Sequence, residues 1–140
     1  MNLVLDASII AKWFFEEDAT DRALVLLEKH KLGDIKINAP ILLLFEFGNT
    51  AIKKFREDID TKSEFKQDIQ DLLTIDVNFI NPDEENLRQT YALAHKYELT
   101  FYDATYIATA QNLKCDFVTA DKKLHQKTKK LKFVKLLSKT

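Results

Sequence analysis

Asn2-Leu3-Val4-Leu5-Asp6-Ala7-Ser8 carries a short apolar run straight into an aspartate, a small residue and a hydroxyl. An unbroken apolar run of strand length reads as a strand buried on both faces, since a half-exposed strand would alternate apolar with polar side chains. A helix over 8–15 follows it. Asp116-Phe117-Val118-Thr119-Ala120-Asp121 repeats the arrangement near the other end: a strand over 116–119, then an acid opening a short helix. Further strands are expected at 36–38, 75–78 and 133–136. Between them lie helices over 19–31, 40–56, 62–73, 81–97 and 101–113. The second helix points Leu24, Val25 and Leu27 inward, with Gly33 suited to its C-terminal cap. Pro40 is placed in a first helical turn and Asn81-Pro82 at a helix start, where proline's missing N–H does no harm. Thr100-x-x-Asp103 matches a capping box. Strands separated by helices require crossover connections, which favours parallel pairing. The fold class is therefore α/β: a three-layer α/β/α sandwich with a central, mainly parallel sheet.

The chain has 140 residues, 46% of them hydrophobic, enough for one sizeable core and too few for two ordinary domains. One domain over 1–140 is expected. The longest apolar run, 41–45, falls far short of the ~20 residues that cross a bilayer. No basic leader with a long apolar core precedes the first strand, so a cytoplasmic location is expected. Cys115 is the only cysteine and the three histidines, His30, His95 and His125, are far apart, so neither a disulfide nor zinc-ligand spacing emerges. Gly33 and Gly48 are the only glycines. That excludes Walker and dinucleotide-binding loops, which need glycines to bring backbone amides to phosphate, and a Gly-x-Ser-x-Gly elbow is absent too. The net charge of −1 hides an asymmetry: residues 121–140 hold eight lysines against Asp121 alone, leaving residues 1–120 strongly acidic. A basic stripe beside an acidic body suits a protein that draws in a phosphodiester backbone and holds cations, while charge alone slightly favours a solvated terminal helix and strand.

In open parallel sheets, ligands bind beyond the carboxyl ends of the strands. Asp6 and Asp121 each follow a strand expected to be central, which puts them on one rim. Each also suits a helix N-cap, and Asp103 suits the first turn of its helix. Glu46 heads a polar helical stripe with Asn49, Thr50 and Lys53, yet it continues directly from 41–45, a stretch apolar all round. A buried carboxylate there needs a partner, and a bound cation would supply one. Carboxylates about 4 Å apart repel by roughly 1 kcal/mol in water and about 4 kcal/mol at an effective dielectric of 20. Oxygen-only ligands favour a hard cation, Mg²⁺ or Mn²⁺.

Four fragments carry a family resemblance: Leu3-Val4-Leu5-Asp6-Ala7-Ser8, Glu46-x-x-Asn49, Tyr102-Asp103-Ala104-x-Tyr106-x-Ala108-x-Ala110, and Val118-Thr119-Ala120-Asp121-Lys122-Lys123-Leu124. In this order and at these separations the chain resembles the PIN-domain family, and within it the VapC-type toxins of toxin-antitoxin pairs. The resemblance implies a metal-dependent endoribonuclease. Asp6, Glu46, Asp103 and Asp121 would form an acidic pocket for one or two Mg²⁺ or Mn²⁺ ions, with Asp6 and Asp103 as direct ligands. Asp121 would bind directly or through water, and Glu46 would position or deprotonate the attacking water. Ser8, Asn49 and Thr119 would orient the carboxylates. The implied partners are an RNA substrate, a cognate antitoxin and a second copy in a homodimer. Trp13-Phe14-Phe15 and 41–47 are candidate surfaces for them, with ordinary core as the competing reading. An RNA-maturation nuclease and a non-catalytic PIN-like binding module are the alternatives that share this pattern.

Overall fold

A computed structural model of the chain describes residues 1–57 and 65–137. Among these residues, five strands form one sheet: β1 (Asn2–Leu5), β2 (Lys36–Pro40), β3 (Asn78–Ile80), β4 (Asp116–Thr119) and β5 (Val134–Leu136). Their order is β3-β2-β1-β4-β5 and every pairing is parallel. The helices are α1 (Ala7–Phe14), α2 (Thr20–Lys31), α3 (Leu42–Glu57), α4 (Phe65–Thr74), α5 (Glu84–Tyr97), α6 (Phe101–Leu113) and α7 (Lys122–Lys127). One helical layer is built on α1, packed against α2 and α3; in the other, α6 lies across β1, β2 and β4 with α5 behind it. This is the expected three-layer α/β/α sandwich. No helix among the described residues is long and apolar enough to cross a membrane.

The strand order positions the site. From β1 the chain moves outward through β2 to β3, then returns to add β4 and β5 on the other side of β1. Connections leave β1 and β4 in opposite directions, so a crevice opens between their carboxyl ends. β1 earns its central place by composition: Val4 and Leu5 are fully buried, paired with Asn38 of β2 on one side and Phe117 and Val118 of β4 on the other.

Several expected boundaries shift for local reasons. Pro40 ends β2 rather than opening a helix, because the Ile41 N–H still donates to Ile80 O and carries the ladder one residue further. β3 lies at Asn78–Ile80, not 75–78. The Ile75 N–H closes a turn onto Leu72 O, and Asp76 takes a positive φ of 66°, which no strand accommodates. At α5 the N-cap is Asp83, exchanging reciprocal bonds with Asn86, and Asn81-Pro82 stays outside the helix. Of the helix expected over 62–73, residues 62–64 lie outside the described residues.

Inward faces also differ from expectation. In α2 the core side chains are Ala23 and Leu26, whereas Leu24 and Val25 are exposed. The helix ends as expected: Gly33 at φ +84° lets its own N–H reach His30 O and the Asp34 N–H reach Lys29 O, a Schellman closure. The start of α3 is not buried on all sides. Leu43, Phe47 and Ala51 face the core, four residues apart, while Phe45, two residues or about 200° round from Leu43, is 71% exposed. The 13–15 aromatics belong to the core: Phe14 and Phe15 pack on the Phe47 ring, and Trp13 Nε1 donates to Ala23 O at 2.8 Å. Cys115 is half-buried against that core, as a small apolar residue would be.

Asn38 fixes register from inside the sheet. It is 2% exposed; its Nδ2 donates to Leu3 O, Lys36 O and Asn2 Oδ1, and its Oδ1 accepts from Asn78 Nδ2 at 2.7 Å. One amide thus ties β1, β2 and β3 at a single level, and a one-residue slip would strand it. Asn38→Leu is expected to destabilise the fold by about 1–3 kcal/mol in urea unfolding, since it leaves the Asn78 amide without its acceptor.

Candidate active site

Asp6 leaves β1 and caps α1: its Oδ1 accepts from the Ser8 N–H at 3.1 Å and the Ile9 N–H at 3.4 Å. The cap is real, yet it does not exhaust the side chain. Ser8 Oγ donates to Oδ1 and Thr119 Oγ1 donates to Oδ2, each at 2.5 Å. The same two hydroxyls accept from β4's exit: Ser8 Oγ from the Ala120 N–H at 3.0 Å, Thr119 Oγ1 from the Asp121 N–H at 3.1 Å. Ser8 and Thr119 therefore stitch the ends of β1 and β4 together through one carboxylate. Oδ1 takes three donors and Oδ2 one, so Oδ2 keeps lone-pair capacity for a cation.

Asp121 caps α7, its Oδ1 accepting from the Leu124 N–H at 3.0 Å. Asp103 sits in the first turn of α6, whose cap is Thr100: its Oγ1 accepts from the Asp103 N–H at 3.0 Å. α6 can bring that acid to the rim because Ala104, Ala108 and Ala110 let its backbone lie close on the sheet. Glu46 comes from α3, and its Oε1 accepts from the Tyr106 hydroxyl at 2.5 Å.

These acids meet in one cavity of about 290 Å³, lined by Asp6, Ser8, Glu46, Asn49, Asp103, Tyr106 and Asp121 together with Ala7 and Thr50. Six of the seven residues singled out in the sequence line it. The seventh, Thr119, lies beneath and is fully buried. Asn49 is exposed at the mouth. Tyr106 was legible only as part of the α6 motif; its spacing of three from Asp103, one face of a helix, is the signal that could have singled it out. Its ring stacks on Phe117 of β4, and its hydroxyl also has a backbone hydrogen bond with Ala7, so one phenol joins α6, α3 and the end of β1.

Crowding of negative charge registers in the ionisation of these groups. Burial pushes the Asp6 carboxyl up to about 6, against the lowering effect of Ser8, Thr119 and the Ile9 N–H, with a small further rise from Glu46. Glu46 is raised by burial and by the Asp103 charge, opposed by the Tyr106 hydrogen bond. Asp103 is raised by burial and by Asp121, opposed by Thr100 and Lys127. Burial and the Glu46 charge hold the Tyr106 phenol far above its usual range, so it stays a donor. Among the described residues, no basic side chain lines the cavity.

An all-oxygen donor set without a lining cation fits a hard divalent ion. No three or more of the described His, Cys, Asp and Glu side chains are already closed around one ligation point.

In the metal-free protein, Asp6 binds its proton more tightly folded than unfolded. Its contribution favours the fold below about pH 4 and is lost as pH rises through about 6. Glu46 and Asp103 act in the same direction. In excess chelator, urea unfolding is expected to show stability falling from pH 5 to pH 7.5, by roughly 1 kcal/mol from Asp6. Asp6→Asn should flatten most of that slope.

The PIN domain family model matches residues 3–130. Ribonuclease VapC3 of Pyrobaculum aerophilum is 27% identical over 128 residues, covering 91% of this chain and 95% of that protein. Among solved structures, PAE2754 from Pyrobaculum aerophilum superposes with a TM-score of 0.69 at 21% identity, over 91% of this chain and 79% of the other. VapBC2 from Rickettsia felis, bound to a DNA fragment from their promoter, gives 0.65 at 18% identity over 97% of each chain. The structural likenesses establish the fold, and the family match spans both ends of the acidic rim, from β1 through α7: the chain belongs to the PIN-domain family.

Proposed function

We propose that residues 1–140 act as one nuclease domain, a Mg²⁺- or Mn²⁺-dependent endoribonuclease of the VapC type, working in the cytoplasm as the toxin of a toxin-antitoxin pair. The observation that carries this reading is the convergence of Asp6, Glu46, Asp103 and Asp121, from four separate stretches of chain, on one cavity that no cation lines among the described residues. Support for the toxin assignment comes from the likeness to Ribonuclease VapC3 and to VapBC2. An antitoxin covering the rim would silence such an enzyme. A homodimer is part of the proposal, and the exposed apolar stripe of α3, Phe45, Ile52 and Phe55, is the surface available for it.

In this reading Asp6, Asp103 and Asp121 hold the ion. When bound, it would supply Lewis-acid stabilisation of the phosphate and lower the pKa of a bound water. Ser8 and Thr119 keep the Asp6 carboxylate aimed at the cavity. Glu46, anchored by Tyr106 and half-buried, takes the proton of the attacking water as its oxygen bonds to phosphorus; the P–O3′ bond breaks with its electrons on O3′, which takes a proton from solvent, leaving a 5′-phosphate and a 3′-hydroxyl. Its raised pKa brings it closer to neutrality, where a general base is most effective.

Purified protein is expected to cleave single-stranded RNA when Mn²⁺ is supplied, with Asp6→Asn reducing the rate at least about 100-fold while the fold survives. Full activity in excess EDTA would overturn the metal mechanism. Tyr106→Phe removes a bond that lowers the Glu46 pKa, so the acid limb of the kcat profile should move to higher pH. Loss of the hydroxyl that orients Glu46 should lower kcat at neutral pH by about 10-fold with KM little changed. An unshifted profile would deny Glu46 the role of base.

A further inference from the structure

The acidic cavity continues beyond its own walls. A second depression, lined by Ser8, Lys12, Glu17, Lys54, Ala120 and Asp121 among others, shares Ser8 and Asp121 with it. A third and larger groove, about 970 Å³, shares Lys12, Ala120 and Asp121 with the second. The third is formed by α1, the loop before α2, the start of α7 and the end of β5. Along this trough the charge reverses. Among the described residues, the cavity presents four carboxylates and no cation, whereas the far groove presents Lys12, Arg22, Lys122 and Lys123 against Asp18 and the shared Asp121.

These cations differ in availability. Lys12 is paired with Glu17 at 3.4 Å, and Lys54 shares that carboxylate at 2.8 Å, so Glu17 holds both in place. Lys122 and Lys123 are exposed and form no ion pair among the described residues. They also occupy the first turn of α7, which contains no acid.

We infer that the groove bearing Lys122 and Lys123 receives the backbone phosphates of single-stranded RNA on one side of the bond to be cut. The choice of ligand rests on the ribonuclease reading. The physical need is plain: four converging carboxylates repel a polyanion, and a strand must be attracted and anchored beside them. Asp121 turns into the cavity as the N-cap of α7, and the next two residues line the groove, so a single turn of chain sets the distance between anchored phosphate and cleavage site. Anchoring on one side only gives the strand a defined direction across the acids.

The test is RNA binding, kept separate from cleavage. Fluorescently labelled single-stranded RNA is titrated in excess EDTA with the wild type, with Lys122→Ala/Lys123→Ala, and with a charge-matched control at the opposite rim, Lys29→Ala/Lys31→Ala. The groove variant should bind about 10-fold more weakly. Its log K against log salt slope should be shallower by about 1.4, that is ~0.7 for each phosphate no longer neutralised. Lys122→Arg/Lys123→Arg should restore binding, and the control should stay within about twofold of the wild type. Unchanged affinity and slope in the groove variant, an equal weakening in the control, or no RNA binding by the wild type would each overturn the inference. So would retained RNA binding with loss of poly-glutamate binding, which would assign the groove to an acidic protein segment. If RNA binding depends on the two lysines but Mn²⁺ elicits no cleavage, the groove stands and the ribonuclease reading fails. If Mn²⁺ elicits cleavage but binding is indifferent to the lysines, the ribonuclease reading stands and the groove fails.

Discussion

A carboxylate buried at the junction of two parallel strands is the constraint on which the rim depends. Asp6 is 7% exposed, and its desolvation is offset in part by two N–H groups and two hydroxyls. Those hydroxyls are in turn held by backbone N–H groups of the opposite strand exit. The ladder between β1 and β4 therefore ends in a side-chain clasp, and the strand ends cannot move apart without leaving a buried charge unpartnered. The clasp is also what presents Asp6 to the cavity in a single orientation.

Around it, each further acid is delivered by an element held for structural reasons. α6 reaches the rim because small residues let it lie on the sheet, α3 because Phe47 and Leu43 anchor it beside α1, and α7 because Asp121 caps it. Asp6 and Asp121 each cap a helix and line the cavity at once, so the helix-cap reading and the proposed catalytic reading of those residues do not compete. Tyr106 links the layers: its ring belongs to the core and its hydroxyl to the acids, which couples the position of Glu46 to the packing of α6 on β4. The accumulated negative charge leaves the pocket under electrostatic strain that a divalent cation would relieve.

Legibility followed the range of the interaction involved. The strands β1 and β4, the alternation of strand and helix, and the acids after each strand are local patterns, readable from Leu3-Val4-Leu5-Asp6 and Phe117-Val118-Thr119. Boundaries failed where a long-range bond intervened. The Ile41 N–H extends β2 by pairing with Ile80, and Asp83 displaces Asn81-Pro82 as a cap by finding Asn86. Burial failed where the apolar run was longer than the face available: Leu24, Val25 and Phe45 are apolar yet point outward, because the sheet covers only one stripe of each helix.

The sequence by itself determined the α/β class, because short periodicities carry that information, and through its family resemblance it offered four acids as candidates whose oxygen donors would favour a hard cation. Only the tertiary structure decided that the chain returns from β3 to place β4 beside β1. That return brings Asp6 against Thr119, 113 residues apart, and Tyr106 against Glu46, 60 apart. It also joins the acidic cavity to a basic groove. Such meetings arise from strand order and crossover direction, which belong to the packing of the whole chain and have no signature in any one segment.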